Sequence, residues 1–310
     1  MRILIAYDGS GYSHNALQDL QRAGLPGKAD VVMISVSEVW LSPQTEQTGG
    51  DVCSDKEVLE YFRKRSEQMD RNLAETNTIL IEAKEELQEY FPTWTIRTEP
   101  MAGSPAQLIM QRSMTFVPDL IVVGPRGLSS GGSSGLGSVS QSILSYSHFS
   151  LRVGRGGPGT DVGRLKIAIC IDGSACSLEA AKTAALRDWK GKPEFRLFVV
   201  TDPFTQLIPG RVFQIIPGVA EGRMNGEEKW ANSLADKALR TVEDSGRTAS
   251  VQICSGNPRI MLLNESMKWK ADTLFVGMNS QQSSSLGCVA SAVAGRARCT
   301  VEVISKTKNG

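Results

Sequence analysis

Short apolar runs alternate along the chain with longer segments in which apolar residues recur every three or four positions. Short apolar runs are typical of buried strands, and the longer spacing is typical of amphipathic helices. Strands are predicted at 3–7, 34–36, 94–98, 119–123, 151–153, 167–171, 196–201, 249–254, 273–276 and 300–304, and helices at 13–23, from Asp55 to before Pro92, 105–113 and 138–146. Strands that alternate with helices predict an α/β fold with a parallel sheet covered by crossover helices.

The same order of elements occurs twice, which indicates an internal duplication. Four landmarks recur: a strand ending in Asp-Gly-Ser, a second strand ending in an acidic residue, a Gly-x-Pro sequence, and a strand-ending glycine 21 positions beyond its first glycine. The first copy has them at Asp8, Glu38, Gly103 and Gly124, and the second at Asp172, Asp202, Gly256 and Gly277. The glycine-rich segment 154–160 predicts a linker, so the expected domains are 1–155 and 163–310.

Charge and composition restrict the class of protein. The 310 residues include 34 basic and 33 acidic side chains, a formal net charge of +1, which argues against a nucleic acid or a membrane surface as partner. No apolar run approaches the roughly 20 residues that span a bilayer, and the first strand follows Met1 too closely for a signal peptide, so we expect a soluble, cytoplasmic protein. Six scattered cysteines without a C-x-x-C pair predict reduced thiols and no zinc site.

The most informative segment runs from Gly124 to Ser138, between a buried strand and a helix. Gly124 would let the chain turn, and Gly127 would leave backbone N–H groups unshielded by a Cβ atom. Gly137 and Ser138 then open a helix whose N-terminal N–H groups attract anions. The alternative is a Gly/Ser linker at 129–138, but its position inside the repeat favours a phosphate-binding loop.

This segment resembles a known family. The spacing Gly124-x2-Gly127-x9-Gly137-Ser138 matches the ATP-binding signature G-x2-G-x9-G-[S/T] of the universal stress protein family, and Asp8 and Gly103-x-Pro105 fall where that family has them. The chain thus resembles a tandem-domain universal stress protein. The resemblance implies two tandem open α/β sandwich domains with five-stranded parallel sheets, an adenine nucleotide alpha hydrolase-like fold, and ATP at the carboxyl edge.

The resemblance also implies a set of binding residues. Adenosine would contact Asp8, Ala6 and Val36, and ATP would enter with Mg²⁺. The phosphates would contact Gly124, Gly127, Gly137, Ser138 and Val139. For Asp8, a cap on the following helix is the alternative, and the two roles do not exclude each other. The chain shows no pattern of catalytic residues and no set of metal-ligating side chains.

The second half departs from the signature. Ser280 stands where the second glycine is expected, only six residues separate it from Gly287, and Cys288 follows where serine or threonine is expected. A shorter loop with an added Cβ atom would spoil a phosphate cradle. We therefore expect a degenerate second domain, with a structural or regulatory role, and ATP in the first domain only.

Three functions remain open from the sequence. The first is an ATP-binding regulatory module of the stress response, and the second is a slow ATP-hydrolysing enzyme. The third is a nucleotide-independent interaction scaffold, for which the loops 39–54 and 205–224 would serve as docking surfaces or lids. The family pairs its last strands across a two-fold axis, so the resemblance implies that 151–153 and 300–304 bring the halves together as an intramolecular pseudo-dimer. A further homodimer stays open.

Overall fold

A computed structural model describes residues 1–38, 55–128, 135–156, 164–201, 219–278 and 289–305. The first half contains β1 Arg2–Ala6, α1 Gly11–Asp19, a 3₁₀ turn Leu20–Arg22, β2 Asp30–Ser37, α2 Asp55–Tyr90, β3 Thr95–Ala102, α3 Pro105–Phe116, β4 Leu120–Val123, α4 Ser138–Tyr146 and β5 Ser150–Val153. The second half contains β6 Lys166–Ile171, α5 Ala175–Leu186, β7 Glu194–Thr201, α6 Val219–Glu243, β8 Ala249–Ser255, α7 Pro258–Trp269, β9 Thr273–Met278, α8 Val289–Arg296 and β10 Thr300–Ser305.

The predicted fold class is confirmed. Within each half five strands are parallel, in the spatial orders β3-β2-β1-β4-β5 and β10-β9-β6-β7-β8. The innermost strands of the two halves, β5 and β10, pair antiparallel, with Val153 opposite Val301 and Leu151 opposite Val303. The two five-stranded sheets therefore form one ten-stranded sheet.

The apolar core differs between the two faces of this sheet. On one face a single cluster extends through both halves under α3, α4, α7 and α8, and includes Ile109, Ile143, Leu262 and Val293. On the other face two clusters are separate, one under α1 and α2 and one under α5 and α6. Among the described residues, an apolar cluster common to both halves therefore lies on one face of the sheet.

Charged side chains fill the other face where the halves meet. Arg152 of β5 contacts Asp19 of α1 through Nε (2.8 Å) and Glu302 of β10 through Nη1 (2.8 Å). Arg187, which follows α5, ion-pairs with the other carboxylate oxygen of Glu302, and Thr300 donates to Asp19 (2.8 Å). Burial opposes the charge on Arg152, yet the two carboxylates together raise its pKa. We call these five buried residues the inter-half network.

Several predictions made for the loops concern positions outside the described residues. The segment 39–54 and residues 205–218 of the predicted loop 205–224 are among them, so the docking-surface and lid hypotheses stay predictions there. Residues 219–224 are not a loop but the first turns of α6. None of the helices in the described part of the chain combines the length and the apolarity needed to cross a membrane. Four described cysteines are free thiols, and burial raises the pKa of Cys299 to about 11.

Candidate functional site

The carboxyl ends of β1, β2 and β4 meet at one edge of the first half's sheet. β1 lies between β2 and β4, with Ala6 opposite Ile34 and Ile5 opposite Val122. The backbone N–H of Tyr7 extends this pairing by donating to the carbonyl of Ile34 (2.9 Å). The residues that follow these strands therefore face a common edge, where ligands of open α/β sheets usually bind. Ala6, Asp8, Val36 and Gly124 lie at this edge.

A tight turn fixes Asp8 just beyond β1. Gly9 has φ +76°, a conformation that glycine adopts without steric cost. Ser10 donates to Asp8 Oδ1 through its backbone N–H (3.0 Å) and its hydroxyl (2.6 Å). The Ser10 hydroxyl oxygen in turn accepts from the N–H of Ser13 (3.2 Å) and caps α1. The hypothesis that Asp8 caps this helix is therefore wrong, because Ser10 does.

The second half repeats this turn. Gly173 has φ +82°, Ser174 donates from its N–H to Asp172 Oδ1 (2.9 Å), and Ser174 caps α5 by accepting from Ser177 (3.1 Å). The Asp-Gly-Ser sequence is thus a helix-starting turn in both halves. Its presence alone does not distinguish a binding half from a degenerate one.

The other carboxylate oxygen of Asp8 contacts the glycine loop. Asp8 Oδ2 accepts a hydrogen bond from the backbone N–H of Leu128 (3.2 Å). A Cβ atom at Gly127 would lie 2.5 Å from the same oxygen, closer than non-bonded atoms approach. Asp8 and the loop therefore lie against each other, and any side chain at position 127 would make the Asp8 carboxylate or the loop shift.

Gly124 has a packing role that the sequence analysis missed. A Cβ atom there would lie 2.9 Å from the carbonyl carbon and oxygen of Tyr12, so glycine is needed where the end of β4 passes the start of α1. Gly277 likewise lies against the backbone of Cys176 and Ser177 in the second half. This close approach, rather than the predicted sharp turn, explains why both halves have glycine at this position.

Hydrogen bonds join the two ends of the glycine loop. Gly137 donates its N–H to the carbonyl of Pro125 (2.8 Å), and Arg126 Nε donates to the carbonyl of Gly135 (3.0 Å). Gly137 is the N-cap of α4. Ser138 begins the helix and is exposed, and the half-buried Val139 packs against the apolar cluster shared by both halves. Residues 129–134 lie outside the described residues.

Ser140 anchors the loop from within α4. Its buried hydroxyl donates to the carbonyl of Gly124 (2.7 Å). No sequence signal identified this residue, because a single serine inside a helix is common. The contacts of Ser10 could have been predicted, since serine two positions after a strand-ending aspartate is a typical N-cap.

We expect Ser140→Ala to lower the free energy of unfolding by about 1–3 kcal/mol, because it leaves the buried carbonyl of Gly124 without this donor. Urea unfolding followed by circular dichroism measures the change. Ser138→Ala is the matched control, since Ser138 is an exposed serine at the start of the same helix; its effect should stay within about 0.5 kcal/mol. Equal losses in the two variants would contradict the anchoring role.

Among the described residues no group of three or more His, Cys, Asp or Glu side chains is arranged to hold a metal ion. The predicted degeneracy of the second half rests on Ser280, Gly287 and Cys288, and these three residues lie outside the described residues. The loop comparison between the halves therefore rests on their sequences.

The comparison with protein families identifies one family. The sequence model of the universal stress protein family matches residues 1–153 and again 163–305. A search of curated proteins by sequence found no match.

Several solved structures match both halves at once. A universal stress protein from Archaeoglobus fulgidus matches with a TM-score of 0.62 and 18% identity over 98% of each chain. A protein of unknown function from Pseudomonas aeruginosa PAO1 matches with a TM-score of 0.61 and 14% identity, over 98% of this chain and 92% of that one. At these identities the matches show the shared fold.

Proposed function

Because the chain belongs to the universal stress protein family, with one copy of the family's domain in each half, we propose that its first half binds ATP and that this binding serves a regulatory role in the stress response. The proposed domains are 1–155 and 163–310. One observation carries the proposal: the carboxylate of Asp8 and the Gly127–Leu128 backbone are in contact at the carboxyl edge of the sheet.

The adenosine part of the ligand is assigned to the ends of β1 and β2. Asp8 is half-buried, and the Ser10 hydrogen bonds fix the direction of its carboxylate. A carboxylate held in this way is a strong acceptor for ribose hydroxyl groups. Ala6 and Val36 are also half-buried and pack against the apolar cluster shared by both halves, which gives an adenine ring an apolar surface nearby.

The phosphates are assigned to the glycine loop and the start of α4. Gly124, Gly127 and Gly137 keep side chains out of the loop, while Ser138 adds an exposed hydroxyl and Val139 a further N–H at the helix N-terminus. Such a terminus favours anions. Mg²⁺ would be held mainly by the phosphates and would neutralise part of their charge. The carboxylate of Asp8, which lies against the glycine loop, could assist in holding the ion.

The second half is proposed not to bind ATP. It retains Asp172 and the packing glycine Gly277. The helix-starting turn requires Asp172, and the close contact between β9 and α5 requires Gly277, in both cases independently of any ligand. It lacks the second signature glycine, three loop positions and the terminal serine or threonine. Each lost contact to a charged phosphate costs roughly 1.5–3 kcal/mol, so two or three losses weaken binding by several powers of ten.

A second part of the proposal concerns assembly. The antiparallel pairing of β5 with β10, together with the inter-half network, supports an intramolecular pseudo-dimer in which the degenerate half completes the sheet of the binding half. ATP occupancy would then alter which surface the pair presents to a regulatory partner.

Titration calorimetry with Mg-ATP tests the binding site. We expect one ATP per chain, and we expect Asp8→Asn to weaken binding by about 10- to 100-fold because a charged acceptor is lost. Asp172→Asn is the matched control, since it makes the same change in the same turn of the other half, and it should leave the affinity unchanged. Two equivalent sites per chain, or equal effects of the two substitutions, would overturn the proposal.

A further inference from the structure

A cavity of about 1020 Å³ lies between the two halves. Its first-half wall includes Tyr12 of α1, the ends of the glycine loop and the residues just after β5. Its second-half wall includes the start of α7, and α8 with the residues that follow it. Both halves are therefore needed to form it, and a single copy of the domain would have only one of its walls.

The lining of this cavity is strongly basic. Among the described residues that line it there is no aspartate or glutamate, but there are five arginines: Arg126, Arg155, Arg259, Arg296 and Arg298. The chain as a whole has a net charge of only +1, so this concentration of one sign is local. Like charges gathered around a concave surface raise the concentration of anions there.

Arg155 is the most confined of these arginines. Its Nη2 donates to the carbonyl of Ala294 in α8, and its backbone N–H donates to Thr300 (3.0 Å). Its Nη1 is buried and has no hydrogen-bond partner in the described part of the chain. The pKa of Arg155 is lowered to about 10, mainly by burial and also by the nearby charge of Arg126. Because Nη1 is closed to solvent, an anion in the cavity would act on Arg155 through its charge rather than through a bond to that atom.

Arg126 faces the same cavity from the other end of the glycine loop. Its Nε donates to the carbonyl of Gly135, and its guanidinium lies 6.0 Å from the centre of the Tyr12 ring. Both partners are uncharged, so they orient the guanidinium without neutralising it. A guanidinium held in this way presents a planar pair of donors that matches phosphate oxygens.

We propose that the cavity between the halves is a binding site for an oligophosphate, a chain of linked phosphate groups, separate from the ATP site at Asp8. A single phosphate would occupy a small part of the volume and reach few of the arginines. A chain of phosphates carries several charges in a row and can contact arginines from both walls at once. Because the site needs both walls, its occupancy stabilises the contact between the halves.

Titration calorimetry with inorganic triphosphate on the full chain tests this site. We expect binding that weakens as salt concentration rises, and a loss of about tenfold or more in affinity for the charge-reversed double variant Arg296→Glu/Arg298→Glu. Both residues are exposed, so the variant should fold. Arg63→Glu/Arg71→Glu on α2 is the matched control, because it makes the same change in net charge at two exposed positions far along the chain; it should retain wild-type affinity.

The Asp8→Asn variant separates this site from the proposed ATP site. If the cavity is independent, Asp8→Asn keeps triphosphate binding while its ATP binding falls, and triphosphate still binds a protein saturated with ATP. If triphosphate is displaced by ATP and lost in Asp8→Asn, the cavity holds only the tail of the nucleotide and the proposal fails. Equal losses in the two charge-reversed variants, or no triphosphate binding to the wild type, would also overturn it.

Discussion

Replacing Glu302 by glutamine is expected to lower the free energy of unfolding by about 3–5 kcal/mol. Glu302 is fully buried and accepts from both Arg152 and Arg187. Glutamine preserves the size of the side chain but removes the negative charge, so two buried guanidinium groups are left with Asp19 as the remaining carboxylate of the network. A buried charge without its partner is far less stable than the intact pair. Urea unfolding at neutral pH measures the loss.

Asp30→Asn provides the control for this prediction. Asp30 also ion-pairs with an arginine, Arg97 (3.0 Å), but the two side chains are 42% and 54% exposed. Solvent screens such a pair, and its loss should cost less than about 1 kcal/mol. Similar losses for Glu302→Gln and Asp30→Asn would show that the inter-half network contributes no more than a surface ion pair.

Replacing Gly127 by valine is expected to weaken ATP binding by about 100-fold or more while the protein remains folded. The first atom of the new side chain would lie 2.5 Å from Asp8 Oδ2, so either the Asp8 carboxylate or the loop must shift, and the Leu128 hydrogen bond is displaced. Two or more ligand contacts are then misplaced, each of roughly 1.5–3 kcal/mol. Because the Cβ atom itself clashes, Gly127→Ala should already show most of the loss.

Gly11→Ala is the matched glycine control. Gly11 begins α1 close to the same turn, but a Cβ atom there would meet no other atom within 4 Å. Its ATP affinity should equal that of the wild type, and circular dichroism should show native helix content in all three variants. Undiminished affinity in a folded Gly127→Val protein would contradict the proposed role of the loop.

Much of the fold could be predicted from the sequence, because the internal duplication shows the boundaries of the main strands and helices twice. Asp-Gly-Ser, Gly-x-Pro and the strand-ending glycine mark turns that need particular residues, and such turns are readable without tertiary information. α4 matched its predicted bounds of 138–146, whereas β3 runs to Ala102, beyond the predicted 98. That extension is stabilised by pairing with β2 up to Ser37, a long-range contact that local pattern does not contain.

The candidate site could be predicted less completely. Spacing placed Asp8, Gly124 and Gly127 near one another, since the ends of neighbouring parallel strands coincide. It could not reveal that Asp8 contacts the glycine loop directly, or that Gly124 is required by the passage of α1. The cavity between the halves was also missed, because its arginines are spread from 126 to 298 and only the docking of the two halves brings them together.

The pairing of β5 with β10 has a consequence for how the protein behaves on dilution. Two separate chains joined through such strands would dissociate at low concentration, whereas here both partners are tethered on one chain at an effective concentration in about the millimolar range. The pair therefore persists however scarce the protein is. Each copy also meets only its own non-identical partner, so one loop could diverge while the other kept its sequence, without unlike chains having to find each other.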